Sequence, residues 1–127
     1  GFTRHEMDKK FERIVEFAEL HDFIDSPIRT YSSGMWARLG FAVATDTRPD
    51  VLIVDEVLSV GDESFQQKSS SRILTYRDEG AAILLVSHNM SLIESICRRA
   101  AWLDHGNLMM IGPSDEVVRA YRAAKPA

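Results

Sequence analysis

Residues 31–62 read YSSGMWARLGFAVATDTRPDVLIVDEVLSVGD, and this stretch decides how the rest of the chain is read. At its centre Val51, Leu52, Ile53 and Val54 form a continuous apolar run, the pattern of a strand buried on both faces. Asp55 and Glu56 follow at once. Ligands of open α/β sheets bind outside the carboxyl ends of the strands, so both carboxylates are expected at that edge. There Asp55 suits Mg²⁺, which keeps several waters and takes one or two carboxylates beside phosphate oxygens. Glu56 is placed to orient or deprotonate a water. Two solvated charges ending a strand is the competing reading of the pair taken alone.

Upstream, Tyr31-Ser32-Ser33-Gly34-Met35 opens a helix expected from near Gly34 to about Thr45, with Leu39, Ala42, Val43 and Asp46 along one stripe. Ser32 or Ser33 suits the N-cap. A helix start also presents free N–H groups and the positive dipole end, which attract anions, and glycine lets a phosphate approach the backbone. Cap and anion site use one geometry, so the motif alone does not separate them.

In order, YSSGM, a helix, VLIVDE, Ser59-Val60-Gly61-Asp62 and, after another strand, Ser87-His88 resemble the C-terminal half of an ABC-type ATPase domain. The resemblance covers nearly the whole chain. YSSGM stands where that family has its signature LSGGQ, and VLIVDE stands as the Walker B strand with the catalytic Glu. SVGD stands as the D-loop and His88 as the switch histidine. YSSGM-x-x-R-L-x-F-A-V-A and DEVLSVGD-x-x-F-Q-x-K are similar to one branch, the ATP-binding subunits of O-antigen, capsule or teichoic acid exporters. Ser33 for Gly and Met35 for Gln depart from the general pattern and fit that branch. The resemblance implies an α/β fold: part of a P-loop NTPase-type domain with a parallel βαβ core, a C-terminal hairpin and an N-terminal helical segment. Residues 1–48 would form the helical, signature-bearing portion and residues 49–127 the portion from Walker B onward.

The resemblance also implies roles. ATP and Mg²⁺ are the cofactors, and two ATPase subunits pair head to tail. Ser32, Ser33 and Gly34 would contact the γ-phosphate bound to the opposite subunit, with Asp62 counted among the nucleotide-site residues at that interface. Asp55 would hold Mg²⁺. Glu56 would act on the water and His88 would contact the γ-phosphate, as the catalytic pair. The other partner is a membrane-spanning permease that exports a polysaccharide or lipid-linked glycan. This places the subunit peripherally on the cytoplasmic face of the inner membrane.

The remaining composition agrees with such a domain. The chain has 127 residues, a net charge of −4, 45% hydrophobic and 27% charged residues, as one globular domain or part of one would. It carries no basic footprint, so no nucleic acid partner is expected. A single cysteine, Cys97, excludes an internal disulfide and fits a reducing compartment. It falls in an apolar helix pattern, as a buried small hydrophobe does. No apolar run has membrane-spanning length and no signal peptide is visible, so a membrane role would run through a partner.

Along the chain, Thr3 and Glu6 read as a capping box, followed by a stripe of Met7, Phe11, Ile14, Val15 and Ala18 that ends around His21 to Asp25. Pro27 to Thr30 lead, extended, into the Ser-Ser-Gly turn. Pro49 closes the second helix. Asp62 suits the N-cap of a helix from about Glu63 to Arg77, and Glu79-Gly80 break it. Ala82 to Val86 form a second apolar strand, completing a parallel βαβ unit that brings Ser87-His88 to the edge holding Asp55-Glu56. Ser91 with Glu94 starts a short helix carrying Leu92, Ile93, Ile96 and Cys97. Ala100 to Leu103 and Leu108 to Ile111 flank a hairpin turn with a solvated His105. Pro113-Ser114 begins a last helix, and the end at 125–127 is expected to fray.

A complete phosphate site needs G-x-x-x-x-G-K-[ST], which residues 1–127 do not contain; the family's Gln loop is also absent. Gly1 reads as a continuation. Two strands apolar on both faces need neighbours and covering layers that few helices here supply. A segment of a longer ATPase domain is therefore expected, or a chain dependent on a partner, with weak ATP binding and negligible hydrolysis alone. Two readings compete. Intact Glu56 and His88 speak against a non-catalytic, truncated interaction module. The single short helix before Tyr31 speaks against half of a DNA-repair or chromosome-maintenance ATPase, where a long coiled coil would enter.

Overall fold

The computed structural model describes residues 1–56, 58 and 61–124. Val57, Ser59, Val60 and residues 125–127 lie outside the described residues. With them go the first half of the expected SVGD turn and the expected frayed end.

Helix α1 spans Arg4–Ala18. Its start is the expected capping box: Thr3 Oγ1 accepts from the Glu6 amide, and the Glu6 carboxylate accepts from the Thr3 amide at 2.6 Å. It stops earlier than its stripe suggests because Glu19 adopts a left-handed φ of 56° and returns its N–H to the last turn. Only the second half of the stripe is buried. Val15 and Ala18 are inside, whereas Met7 and Phe11 are 47% and 55% exposed.

Two short 3₁₀ turns, His21–Phe23 and Ile28–Thr30, lead to α2 (Ser33–Ala44), so the approach is not the expected extended one. Helix α2 packs on α1 through Ala18, Leu20, Tyr31 and Ala42. Val43, expected on the inner stripe, is 55% exposed. Just beyond α2, Asp46 accepts from Lys10 and Arg13 of α1, and its side chain is only 4% exposed. Burial works against its charge, but these two cations outweigh it and hold its carboxyl below the ordinary range.

Strand β1 (Val51–Asp55), helix α3 (Glu63–Asp78) and strand β2 (Ala82–Val86) form the βαβ unit, with β1 and β2 parallel. Helix α4 follows at Met90–Ile96. Its cap is Asn89, whose Oδ1 accepts from the Leu92 amide at 3.1 Å, and not the expected Ser91–Glu94 pair. Cys97 lies just past α4 in extended backbone, and burial pushes its thiol pKa up.

The strands correct the expectation of burial on both faces. Leu52 and Val54 join Phe41, Leu58, Phe65, Ile73 and Ile96 in the main core. Side chains alternate across a strand, and α2, α3 and α4 supply that cover on one side. On the other side Ile53 is 66% and Leu84 58% exposed.

A second sheet pairs β3 (Arg99–Asp104) antiparallel with β4 (Asn107–Pro113) around His105-Gly106. The His105 side chain is solvated, as expected. Helix α5 (Ser114–Ala124) buries Val117 and Val118 against this hairpin, and Tyr121 meets Trp102 edge to face.

Candidate functional site

The parallel register decides what meets at the sheet edge. Asp55, the last residue of β1, is level with Val86, the last of β2. The next amide, of Glu56, donates to the Val86 carbonyl at 3.0 Å, so the ladder continues one step past the strand. Glu56 then turns away with φ 55°, in the left-handed region. That conformation costs a non-glycine residue about 1–2 kcal/mol, a strain found most often where function over-determines the backbone.

The turn brings Glu56 to His88. Glu56 Oε2 lies 2.7 Å from His88 Nδ1. That oxygen is shut off from solvent and makes no hydrogen bond of good geometry among the described residues. The Glu56 side chain as a whole is 42% exposed, and His88 is 76% exposed. One carboxylate oxygen thus lies against the ring at ion-pair distance. With Nδ1 turned to Glu56, Nε2 is the ring atom available to a ligand. His88 sits in a tight local frame: Ser87 Oγ accepts from the Asn89 amide at 3.0 Å, and Asn89 caps α4. A cavity of about 280 Å³ opens beside the pair, walled by Leu85, Ile93, Trp102 and Val118. Asp55 is exposed at the same edge. Together Asp55 and Glu56 suit a cation that keeps most of its own waters, as Mg²⁺ does. Among the described residues no cluster of three His, Cys, Asp or Glu groups could bind a metal unaided.

The second group stands at the start of α2. Ser32 is the N-cap; its Oγ accepts from the Met35 amide at 3.2 Å. The Ser33 and Gly34 amides are first-turn donors that a helix cannot satisfy internally. Gly34 has no need to be glycine on account of this chain, since a Cβ there would meet only Ser32 Oγ at 3.8 Å. The open space is what a phosphate approaching the backbone requires.

Asp62 is drawn to this second group. Its Oδ1 caps α3 by accepting from the Phe65 amide at 2.9 Å, and its Oδ2 accepts from Arg38 of α2 at 2.6 Å. The cap and then the Arg38 and Lys68 charges hold its carboxyl below the ordinary range. Gly61 before it takes φ 100°, which glycine adopts without strain. The structure therefore places Asp55, Glu56 and His88 in one group at the sheet edge and Ser32, Ser33 and Gly34 in another at the start of α2, with Asp62 tied to Arg38 farther along α2. Among the described residues no hydrogen bond or ion pair links the two groups. Arg38 was given no role by the sequence reading, although a lone cation in the apolar helix SGMWARLGFAVA was a visible signal.

Comparison with known proteins bears on the family and the fold. Residues 2–59 match the family described as ABC transporter. The chain is 49% identical over 124 residues to the O-antigen export system ATP-binding protein RfbB of Klebsiella pneumoniae, covering 98% of this chain and 50% of that protein. It is 47% identical over 122 residues to the teichoic acids export ATP-binding protein TagH of Levilactobacillus brevis, covering 96% of this chain and 34% of that one. The chain thus spans half or less of the length of these relatives. A solved ATP-binding subunit of an ABC transporter superposes with TM-score 0.78 at 22% identity, over 100% of this chain and 52% of that one. A dimeric ATP-binding cassette in a post-hydrolysis state bound to ADP and Pi superposes with TM-score 0.75 at 18% identity, over 90% of this chain and 50% of that one. At such identities these two establish the fold, that of an ABC ATPase cassette.

Proposed function

We propose that the chain is part of an ABC transporter ATP-binding protein and that it supplies the signature, water-activating and switch residues of an ATP-hydrolysing subunit that powers export of a polysaccharide or lipid-linked glycan. The observation that carries the reading is the Glu56–His88 contact at the shared end of β1 and β2. A partly exposed carboxylate beside an imidazole is suited to take a proton from a water. His88 presents Nε2 to the phosphoryl group under attack. Asp55 and Glu56 fit Mg²⁺, which when bound neutralises phosphate charge.

In this reading Ser32, Ser33 and Gly34 serve a second nucleotide, not the one that Glu56 acts on. This fits a head-to-tail pair of subunits, each presenting its helix start to ATP bound by the other. The names of the export relatives and the dimeric cassette support the second subunit, a membrane permease as partner, and a peripheral place on the cytoplasmic face of the inner membrane. Among the described residues no helix is long and apolar enough to cross a membrane.

The test is Glu56→Gln in a full-length subunit carrying residues 1–127. The amide keeps the size and loses the basicity, so turnover falls by about 10²–10⁴-fold while ATP binding persists. Full turnover in that variant sinks the assignment.

A further inference from the structure

Arg38 lies on α2, fewer than two turns after the Ser32 cap. Its Nη1 is 3.2 Å from Glu19 Oε2, at the end of α1, and its Nη2 is 2.6 Å from Asp62 Oδ2, at the start of α3. Between the two arms the guanidinium lies 5.1 Å from the centre of the Phe65 ring. Glu19 is held from its other oxygen by Lys68 of α3 at 3.1 Å. One side chain on the helix that begins with Ser-Ser-Gly therefore ties together the end of α1 and the Gly61-Asp62 turn. Only a planar fork with several donors meets two carboxylates this way.

The burial says what the arrangement is for. Arg38 is 18% exposed, but Glu19 and Asp62 are 41% and 59% exposed, and ion pairs with partners this open add little stability. Both Asp62 oxygens are engaged within the chain, one as a helix cap and one by Arg38. Asp62 is then a poor direct ligand for a nucleotide and a good anchor for the turn that carries it. We infer that Arg38 is a positioning residue: it locks the Ser32–Gly34 helix start to the Gly61-Asp62 turn, so that both reach an opposing nucleotide as one rigid surface. The inference rests on the proposed signature role of Ser32–Gly34.

The experiment is a double-mutant cycle in the full-length subunit. Asp62→Asn keeps the cap, because Asn caps as well as Asp, and removes the charge that Arg38 holds. Arg38→Ala is expected to lower kcat about 10- to 100-fold, the scale of a small misplacement of reacting groups. ATP affinity of the monomer should stay within about twofold, and melting should fall only by the packing that the largely buried Arg38 side chain loses against Phe65. Arg38→Lys should recover little, and the Arg38→Ala/Asp62→Asn double variant should be no slower than Arg38→Ala alone. Turnover of Arg38→Ala close to wild type, or losses that multiply in the double variant, overturns the link. A second measurement needs no turnover: the distance between spin labels on Ser33→Cys and Ser64→Cys in a Cys97→Ala background. Arg38→Ala should broaden that distribution, and an unchanged narrow one refutes the inference. Wild-type protein that hydrolyses no ATP counts against the proposed function instead, and the label distances still decide the Arg38 link.

Discussion

At the scale of single residues, chemistry here is set by who shares a carboxylate. Glu56 sets one oxygen against His88, and Asp62 gives both of its own to the chain. Asp46 is the most enclosed of the three, with Lys10 and Arg13 upon it. Replacing Asp46 with Ala should cost about 1.5–3 kcal/mol in urea unfolding, the range for hydrogen bonds to charged groups. The same residue gives a pH signature. Its folded-state pKa is depressed, so its stabilisation is complete above the unfolded value and disappears as pH falls through the lower, folded one. Wild type should therefore lose stability on acidification below the ordinary carboxylate range, and Asp46→Asn should lose less over that interval. Parallel acid profiles for the two proteins would contradict the assignment.

At the scale of elements, α2 carries two duties at its first turn. Ser32→Ala removes the cap and should destabilise by about 1 kcal/mol. Gly34→Ala should do the reverse, since alanine favours helix over glycine by up to about 1 kcal/mol and meets only open space. Yet Gly34→Ala should weaken ATP-driven pairing of full-length subunits, measured by sedimentation, because the added methyl stands where a phosphate approaches. A variant that is both more stable and fully competent to pair would deny the anion role of this turn. Elements also meet in an aromatic cluster: Phe17 of α1, Phe41 of α2 and Phe65 of α3 have centroids 5.7–6.3 Å apart. Lys68 and Arg72 lie over the Phe17 ring, and Arg72 also donates to Thr45 beyond α2. Burial lowers the Arg72 pKa, with Tyr76 and Asp46 opposing. Phe41→Ala should therefore cost about 3–5 kcal/mol by the measure of other buried aromatics, and calorimetry should show the loss in one cooperative transition.

At the scale of the whole molecule, one face of the β1–β2 sheet is apolar and open, with Val51, Ile53, Leu84 and Val86 each more than half exposed. Contiguous apolar surface of this kind seeks cover. Residues 1–127 alone should bind a hydrophobic dye strongly, and Ile53→Lys should reduce the signal without loss of helical circular dichroism; dye binding unchanged by that substitution would place the exposed surface elsewhere. The order of motifs, the capping box at Thr3, the Asp62 cap and the parallel strand pair were legible in the amino-acid sequence. Each is signalled within a few residues, by an apolar run, a cap or a Gly/Pro break. The same local rules overreached where neighbours decide. They took VLIV as buried twice, set Met7 and Phe11 on one stripe with Val15 and Ala18, and took Ser91 as a cap. Only the tertiary structure decided that Glu56 turns to His88, that Arg38 spans Glu19 and Asp62, and that one sheet face stays open. Those outcomes join residues 19, 24 or more positions apart, and packing, which no local pattern encodes, sets their distance and their exposure.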